Sequence, residues 1–308
     1  MAVMLGVDIG GSKVAAGLVG RDGGLVGDAV VRPVVTRETS AFLEDLLVTI
    51  KKARKGAAED VTAIGLACAG TVDQKEGVVV TSPHLPIRSF PLARRVAAAT
   101  GLPVTLDNDA NAAVWAESQV GVAAGLRHVI MLTLGSGVGG GMLLDGRVYR
   151  GANGAAGELG HVLFEAHGEE CRCGARGCLE TFLSAKAVER IAFRTVGLFE
   201  RGAFTGEALG PLARDGELSA RTALNEYGWW LGIACANLAN MFDPEMIVVG
   251  GGLGELGDLI LEPARKAMAE RALPPACDRV RLAQAGLGGL AGMVGAGLFA
   301  WEEYGTGG

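Results

Sequence analysis

Val3-Met-Leu-Gly-Val-Asp8-Ile-Gly10-Gly11-Ser12-Lys13-Val-Ala-Ala-Gly-Leu-Val19 sets two apolar runs, roughly 3–9 and 13–19, on either side of a glycine turn. Alternation around so short a turn predicts a β-hairpin. The spacing Gly6-x₄-Gly11 imitates a P-loop, but Ser12 and Lys13 stand in the wrong order and a strand follows where a helix belongs. A tight hairpin with exposed N–H groups can still cradle a phosphate, with Asp8 at the strand end reaching an associated magnesium ion. An ordinary hairpin without a ligand is the competing reading.

The same arrangement returns at 129–149. A strand, Val129–Leu134, enters Gly135-Ser136-Gly137-Val-Gly-Gly140-Gly141, and Met142–Tyr149 reads as a hairpin around Asp145-Gly146. Gly135, Gly137 and Gly140 match G-x-G-x-x-G, yet the dinucleotide fingerprint requires a helix after the glycines. Two strand–glycine turn–strand segments suggest two halves closing on one phosphate chain. A buried strand from Met246 leads to a third turn, Gly250-Gly251-Gly252, where a flat adenine ring could lie against backbone.

Outward from these turns, the periodicity predicts a strand at 24–32, a helix at 39–55 and a buried strand at 62–68. A Pro-rich loop at 82–91, a helix at 91–99 and a strand at 103–106 follow. Beyond 184 the pattern turns helical at 184–197, 217–240 and 255–271, with 200–216 as a loop. A strand at 279–284 and a glycine-rich helix at 289–303 end the chain.

Two constellations carry chemistry. In Asp107-Asn108-Asp109-Ala110-Asn111, a strand-end carboxylate is poised as a general base with amides to orient hydroxyls. Asp and Asn are also preferred helix N-caps, but one cap needs one such residue and here are four. The second is Glu158-Leu-Gly-His161, then Cys171-Arg-Cys173-Gly174-Ala-Arg-Gly177-Cys178-Leu-Glu180. Three thiolates and an imidazole make the closed ligand set of a structural zinc site. A disulfide with a spare thiol is the alternative, although a Cys-x-Cys pair bridges poorly. Glu158 and Glu180 flank the ligands without being needed by the metal, which points to a site for a polyhydroxylated molecule, a sugar.

Composition bounds the rest. The chain has 308 residues, 49% hydrophobic and 20% charged, with a net charge of −6. That balance argues against a partner bound through a nucleic-acid phosphate backbone. No leader segment and no run of membrane-spanning length is present. Six cysteines, three of them assigned to metal, fit a reducing cytoplasm, with Cys68, Cys235 and Cys277 as core residues.

The chain resembles the ROK family of repressors and sugar kinases over nearly its whole length, and its actinobacterial-type glucokinases most. The resemblance rests on Asp8-Ile-Gly-Gly-Ser-Lys13, Asn108-Asp109-Ala110-Asn111, Thr133-Leu-Gly-Ser-Gly137, Glu158-Leu-Gly-His161, the cysteine loop to Glu180, and Val249-Gly-Gly-Gly252. It implies an α/β actin-like ATPase (ribonuclease H-like) fold of two domains around a cleft. The smaller domain would hold 1–117 with the last helix (289–308), and the larger 118–288.

By the same resemblance, Asp109 is the catalytic base. Gly70, His84, Asn108, Glu158, His161 and Glu180 face the sugar. Asp8, Gly10, Gly11, Ser12, Lys13, Thr133, Gly135, Ser136, Gly137 and Gly250–Gly252 serve ATP and Mg²⁺, while His161, Cys171, Cys173 and Cys178 hold Zn²⁺. The implied activity is ATP-dependent phosphorylation of a hexose 6-hydroxyl, in a homodimer or homotetramer. A non-catalytic sugar sensor is the competing class, but the first strand begins near residue 3, without a helix-turn-helix ahead of it. One departure stands out: Pro83-His84-Leu85-Pro86-Ile87 replaces the family's Pro-Asn-(apolar)-x-Trp. That change admits an amino or N-acylated hexose beside glucose.

Overall fold

The computed structural model describes residues 2–35, 38–55, 60–196 and 206–305. The chain opens with β1 (Ala2–Ile9), β2 (Lys13–Val19), β3 (Leu25–Pro33), α1 (Thr39–Lys55) and β4 (Asp60–Cys68). It continues through β5 (Thr71–Asp73), β6 (Val78–Thr81), β7 (Arg88–Phe90), α2 (Leu92–Thr100), β8 (Val104–Asn108) and α3 (Asp109–Gln119). Then come β9 (Val129–Leu134), β10 (Val138–Leu144), β11 (Arg147–Val148), α4 (Glu180–Leu183), α5 (Ala185–Val196) and α6 (Gly206–Arg214). The chain ends with α7 (Leu218–Phe242), β12 (Met246–Gly250), α8 (Asp258–Ala269), α9 (Ala276–Arg279), β13 (Arg281–Gln284) and α10 (Ala291–Tyr304).

Two compact units result. One comprises Met1–Gly125, Val148–Gly157 and Leu290–Gly308, and the other Leu126–Arg147 and Glu158–Gly289. The first contains a sheet ordered β3-β2-β1-β4-β8, with β1/β2 and β2/β3 antiparallel and β1/β4 and β4/β8 parallel. A second sheet, β11-β10-β9-β12-β13, follows the same plan: β9/β10 antiparallel, then β9/β12 and β12/β13 parallel. Each begins with a hairpin and grows outward by parallel strands. A third, antiparallel sheet joins β5, β6 and β7.

Alternation along β1 divides the packing of the first unit. Val3, Leu5, Val7 and Ile9 join the buried cluster with Phe42, Leu46 and Ile50 of α1. Met4, Gly6 and Asp8 face α10 instead: Met4 clusters with Ala300, Gly6 meets Met293, and Asp8 meets Gly292. Gly6 pairs with Gly17 of β2 and Gly65 of β4, so a row of glycines crosses three adjacent strands. A Cβ on Gly6 would lie 2.0 Å from the Met293 carbonyl oxygen, and one on Gly65 1.7 Å from that of Ala296. The helix thus rests on bare sheet backbone. On its other side, a Cβ on Gly295 would lie 1.8 Å from the Ala112 carbonyl oxygen of α3.

In the second unit, α7 and α8 meet by the same device at Gly228 and Gly232, whose absent side chains admit the Ile260 and Ala264 carbonyls. Tyr227 is fully buried and donates to the Leu183 carbonyl at 2.7 Å.

Three expectations are corrected. Arg88–Phe90, in the stretch read as a Pro-rich loop, forms β7 by pairing with β6. Gly206–Arg214 is a helix despite Pro211, because burial of Leu209 and Ala213 outweighs the hydrogen bond that proline removes; residues 200–205 lie outside the described residues. Cys68 and Cys235 are buried as expected, with burial pushing the Cys235 thiol up to about 12, but Cys277 is only half-buried.

Candidate active site

The first unit gathers one group of the expected residues. The β1–β2 turn is closed by Gly10 N–H donating to the Lys13 carbonyl at 3.0 Å, and Val34 N–H donates to the Ser12 carbonyl at 2.8 Å. Asp8 sits at the end of β1, under the first turn of α10, where a Cβ on Gly292 would lie 2.9 Å from its carboxylate. Burial is the main cause that raises its carboxyl to about 7; the charge of Asp109 adds to this and Lys13 opposes it. Asp8, Lys13 and Asp109 therefore share one electrostatic neighbourhood.

The Asp107–Asn111 cluster divides its labour. Asp107 is buried and takes Arg150 through Nε at 2.7 Å and Nη2 at 2.5 Å, while its other oxygen accepts from Asn108 N–H and Asn111 Nδ2. Asn108 caps α3, accepting from the Ala110 and Asn111 N–H groups at 2.8 and 3.1 Å. Its amide donates to the Gly70 carbonyl at 3.0 Å. The capping interpretation is therefore correct for Asn108, and Asp107 is a structural ion-pair partner. Asp109, half-buried at the first helical position, accepts from Ala110 N–H at 2.9 Å. Sequence reasoning missed Arg150, whose guanidinium also lies 5.1 Å from the Phe299 ring centroid. Only the buried carboxylate hinted that a cation had to come from elsewhere.

Gly70 has φ +123°, and a Cβ there would lie 2.3 Å from the Thr81 carbonyl. The chain after β6 then turns so that Leu85 and Ile87 are buried and His84 is exposed. His84 packs over the first glycine turn: a Cβ on Gly11 would stand 2.5 Å from its Cβ and 2.9 Å from its Cγ. Gly70, Asn108, His84 and Gly11 are thus joined through one set of contacts.

The second unit gathers the other group. Gly135 N–H donates to the Gly137 carbonyl at 3.0 Å, and the Gly135 carbonyl accepts from Ala185 N–H at 2.7 Å. The third glycine turn lies against the second. Gly251 has φ +77°, a Cβ there would lie 2.4 Å from the Leu134 carbonyl, and that carbonyl accepts from Leu253 N–H at 3.0 Å. Thr133, Ser136, Gly250 and Gly252 belong to these same turns; a Cβ on Gly252 would meet open space. Glu180, at the start of α4, accepts from Val138 N–H at 3.1 Å through Oε2, and its Oε1 lies 3.8 Å from Cys171 Sγ. It links the glycine turn to the cysteine loop. Glu158 precedes the short 3₁₀ turn Leu159–His161, which sits so close to β10 that a Cβ on Gly160 would lie 2.2 Å from the Val138 carbonyl.

His161, Cys171, Cys173 and Cys178 converge, with all four ligand atoms within 4.8 Å of one another. Cys173 and Cys178 Sγ are 3.6 Å apart, and Cys171 Sγ is 3.7 Å from His161 Nδ1. A disulfide needs about 2.05 Å. Tetrahedral zinc with usual bond lengths places two sulfurs about 3.8 Å apart, and sulfur and nitrogen about 3.5 Å apart. The spacing fits one metal ion and rules out a bridge in this arrangement.

Two α/β units, each opening on a strand–glycine turn–strand hairpin, with a helix-start carboxylate in one and a Cys/His cluster in the other, together with the similarity to known glucokinases, are those of a sugar kinase, a phosphotransferase with an alcohol acceptor. The chain belongs to the ROK family, whose profile matches residues 4–303. The glucokinase of Streptomyces coelicolor is 35% identical over 319 residues, covering 98% of each chain. A ROK family glucokinase from Streptomyces griseus, solved in complex with glucose and AMPPNP, superposes with a TM-score of 0.89 at 33% identity, over 97% of this chain and 99% of that one. An N-acetylmannosamine kinase of Vibrio cholerae is 30% identical, over 87% of this chain and 89% of its own. The architecture is accordingly the actin-like ATPase fold of these kinases. No described helix is long and apolar enough to cross a membrane.

The Gly11–His84 contact yields a direct test. Gly11→Ala forces the His84 loop away from the turn and is expected to weaken binding of a non-hydrolysable ATP analogue about tenfold. Adding His84→Gly makes room for the new methyl and should recover most of that loss. Calorimetric titration of the two variants measures it; an additive double variant contradicts the contact.

Proposed function

We propose that the protein transfers the γ-phosphate of ATP to the 6-hydroxyl of glucose or a close relative, with Asp109 as general base. The observation that supports this is the placing of Asp109 at the head of α3, next to an Asn108 tethered to Gly70 and in the same electrostatic neighbourhood as Asp8 and Lys13. One carboxylate thus borders both the proposed sugar side and the proposed phosphate turn. Asn108 uses its carbonyl for the cap, leaving an amide N–H for a sugar hydroxyl. Asp109 accepts the proton of the primary hydroxyl as it attacks phosphorus, and backbone N–H groups of Gly11, Ser12 and Gly137 donate to the phosphate oxygens, while the Gly135 N–H closes its own turn on the Gly137 carbonyl. Thr133, Ser136 and Lys13 add side-chain donors, and Gly250–Gly252 border the adenine.

The donor set fits two metals. Mg²⁺ at Asp8 would neutralise charge on the phosphates, and a carboxyl that burial makes costly to ionise gains most from a cation. Zn²⁺ on His161, Cys171, Cys173 and Cys178 would make the loop rigid. Nδ1 of His161 faces Cys171, so Nε2 is the nitrogen left for a sugar hydroxyl beside Glu158 and Glu180.

Glucose is the favoured acceptor because both Streptomyces relatives are glucokinases and one was solved with glucose. His84 keeps the second reading, an amino or N-acylated hexose, and the N-acetylmannosamine kinase shows that such specificity is reached by a relative. A coupled assay over glucose, mannose, N-acetylated hexosamines and free amino sugars decides between them; no ADP release with any hexose would overturn the kinase reading for this chain.

Two further outcomes follow. Asp109→Asn keeps the shape and removes the base, so turnover should fall about 10²–10⁴-fold while sugar and ATP affinities stay within several-fold. Near-full kcat in that variant would leave Asp109 a helix-start residue only. Metal analysis should find one zinc per chain, and Cys173→Ser should abolish sugar affinity with most helical signal retained, because the loop is small beside the domain. Active protein without zinc contradicts the second outcome.

A further inference from the structure

Behind the cysteine loop, within the second unit, lies a cavity of about 280 Å³ that no step above uses. Its lining combines the guanidiniums of Arg176, Arg190 and Arg194 and the imidazole of His167 with the half-buried rings of Phe182 and Trp230. Glu169 is the single carboxylate in the wall. Each guanidinium carries five N–H donors. Among the described residues, Arg190 uses Nη1 on Glu169 at 2.7 Å and Nη2 on the Thr181 carbonyl at 2.5 Å; Arg194 uses Nη2 on Glu226; the Arg176 guanidinium has no ion pair. Most of the cationic donors are therefore available to an anion. The rings pack against one another, with Phe182 and Trp230 centroids 5.0 Å apart and Phe164 completing the cluster.

We propose that this cavity binds a sugar phosphate. Planar guanidiniums recognise phosphate oxygens in pairs, and an aromatic wall packs against the apolar face of a pyranose. Neither feature alone selects this class; together they distinguish it from free phosphate, which has no use for the rings, and from neutral sugar, which has none for the arginines. The volume suits one phosphorylated hexose, the chemical class the proposed reaction releases, and in that respect the inference rests on the proposed function. Arg190 also ties the cavity to the sugar-side loop. It holds Glu169 and Thr181 together, Glu169 receives Gly177 N–H at 2.7 Å, and Thr181 adjoins Glu180. An entering phosphate competes with Glu169 for Arg190, so occupancy changes hexose affinity.

The test is equilibrium dialysis of glucose 6-phosphate against protein whose active site is saturated with its best hexose and AMPPNP. One molecule should bind per chain, about tenfold more tightly than inorganic phosphate, and Arg176→Gln/Arg194→Gln should weaken it at least about tenfold. Basal turnover of that variant should stay within about twofold of the native value, since both side chains are at the surface. Glucose 6-phosphate should shift hexose affinity in the native protein more than in the variant. No binding to the filled protein, equal binding of inorganic phosphate, or an unchanged affinity in the variant overturns the site; equal shifts of hexose affinity overturn the coupling. Dialysis requires no turnover, so a protein that fails to phosphorylate hexoses still gives a separate answer.

Discussion

The contact of α10 with bare backbone is the constraint on which the first unit depends. Gly17, Gly6 and Gly65 lie side by side on three strands, and the helix fills the space their side chains would take. Close approach of backbone to backbone maximises dispersion contact but leaves no slack, because a Cβ has no rotamer by which to step aside. The same closeness limits the access of water to the end of β1. Asp8 is there, and its desolvation is a property of the helix seat as much as of the carboxyl itself. The Asp8 carboxyl under Gly292 and the packing at Met293 and Ala296 along the same helix are thus one arrangement.

The second unit relies on a carboxylate where the first relies on glycine. Glu180 takes the Val138 N–H with one oxygen and approaches Cys171 with the other. Gly137 permits this, since a Cβ there would lie 2.6 Å from Glu180 Oε2. A residue read from sequence as a sugar ligand is therefore also a fastening between a glycine turn and the cysteine loop. Substitutions of it will report both roles at once, and only ligand-resolved binding data can separate them.

Much of this was legible in the chain. The two hairpins were, because period-2 alternation broken by glycines has few other solutions, and Asp145-Gly146 takes the positive φ values, 53° and 74°, that its dipeptide signals. The metal-type cluster was, because its spacing is local. β7 was not: Arg88-Ser-Phe90 is three residues long, lacks β-branched side chains, and Ser89 has φ 46°. α6 was hidden by Gly206, Gly210 and Pro211, residues that locally favour a turn and are overridden by packing of Leu209 and Ala213. Arg150 with Asp107 and His84 over Gly11 were invisible for another reason. Both join segments distant in sequence, and no local propensity encodes a partner.

The order of the chain gives the seat of α10 a further meaning. Strands β1, β2 and β4 are synthesised before the whole second unit, whereas the helix that covers their glycine row is made after it. Until residue 304 has emerged, the nascent sheet presents an uncovered apolar face and exposed strand backbone of the kind that sticks to other chains. The first unit is thus begun before the second and completed after it. In the interval between them, the strands made first lack the helix that covers them in the finished fold.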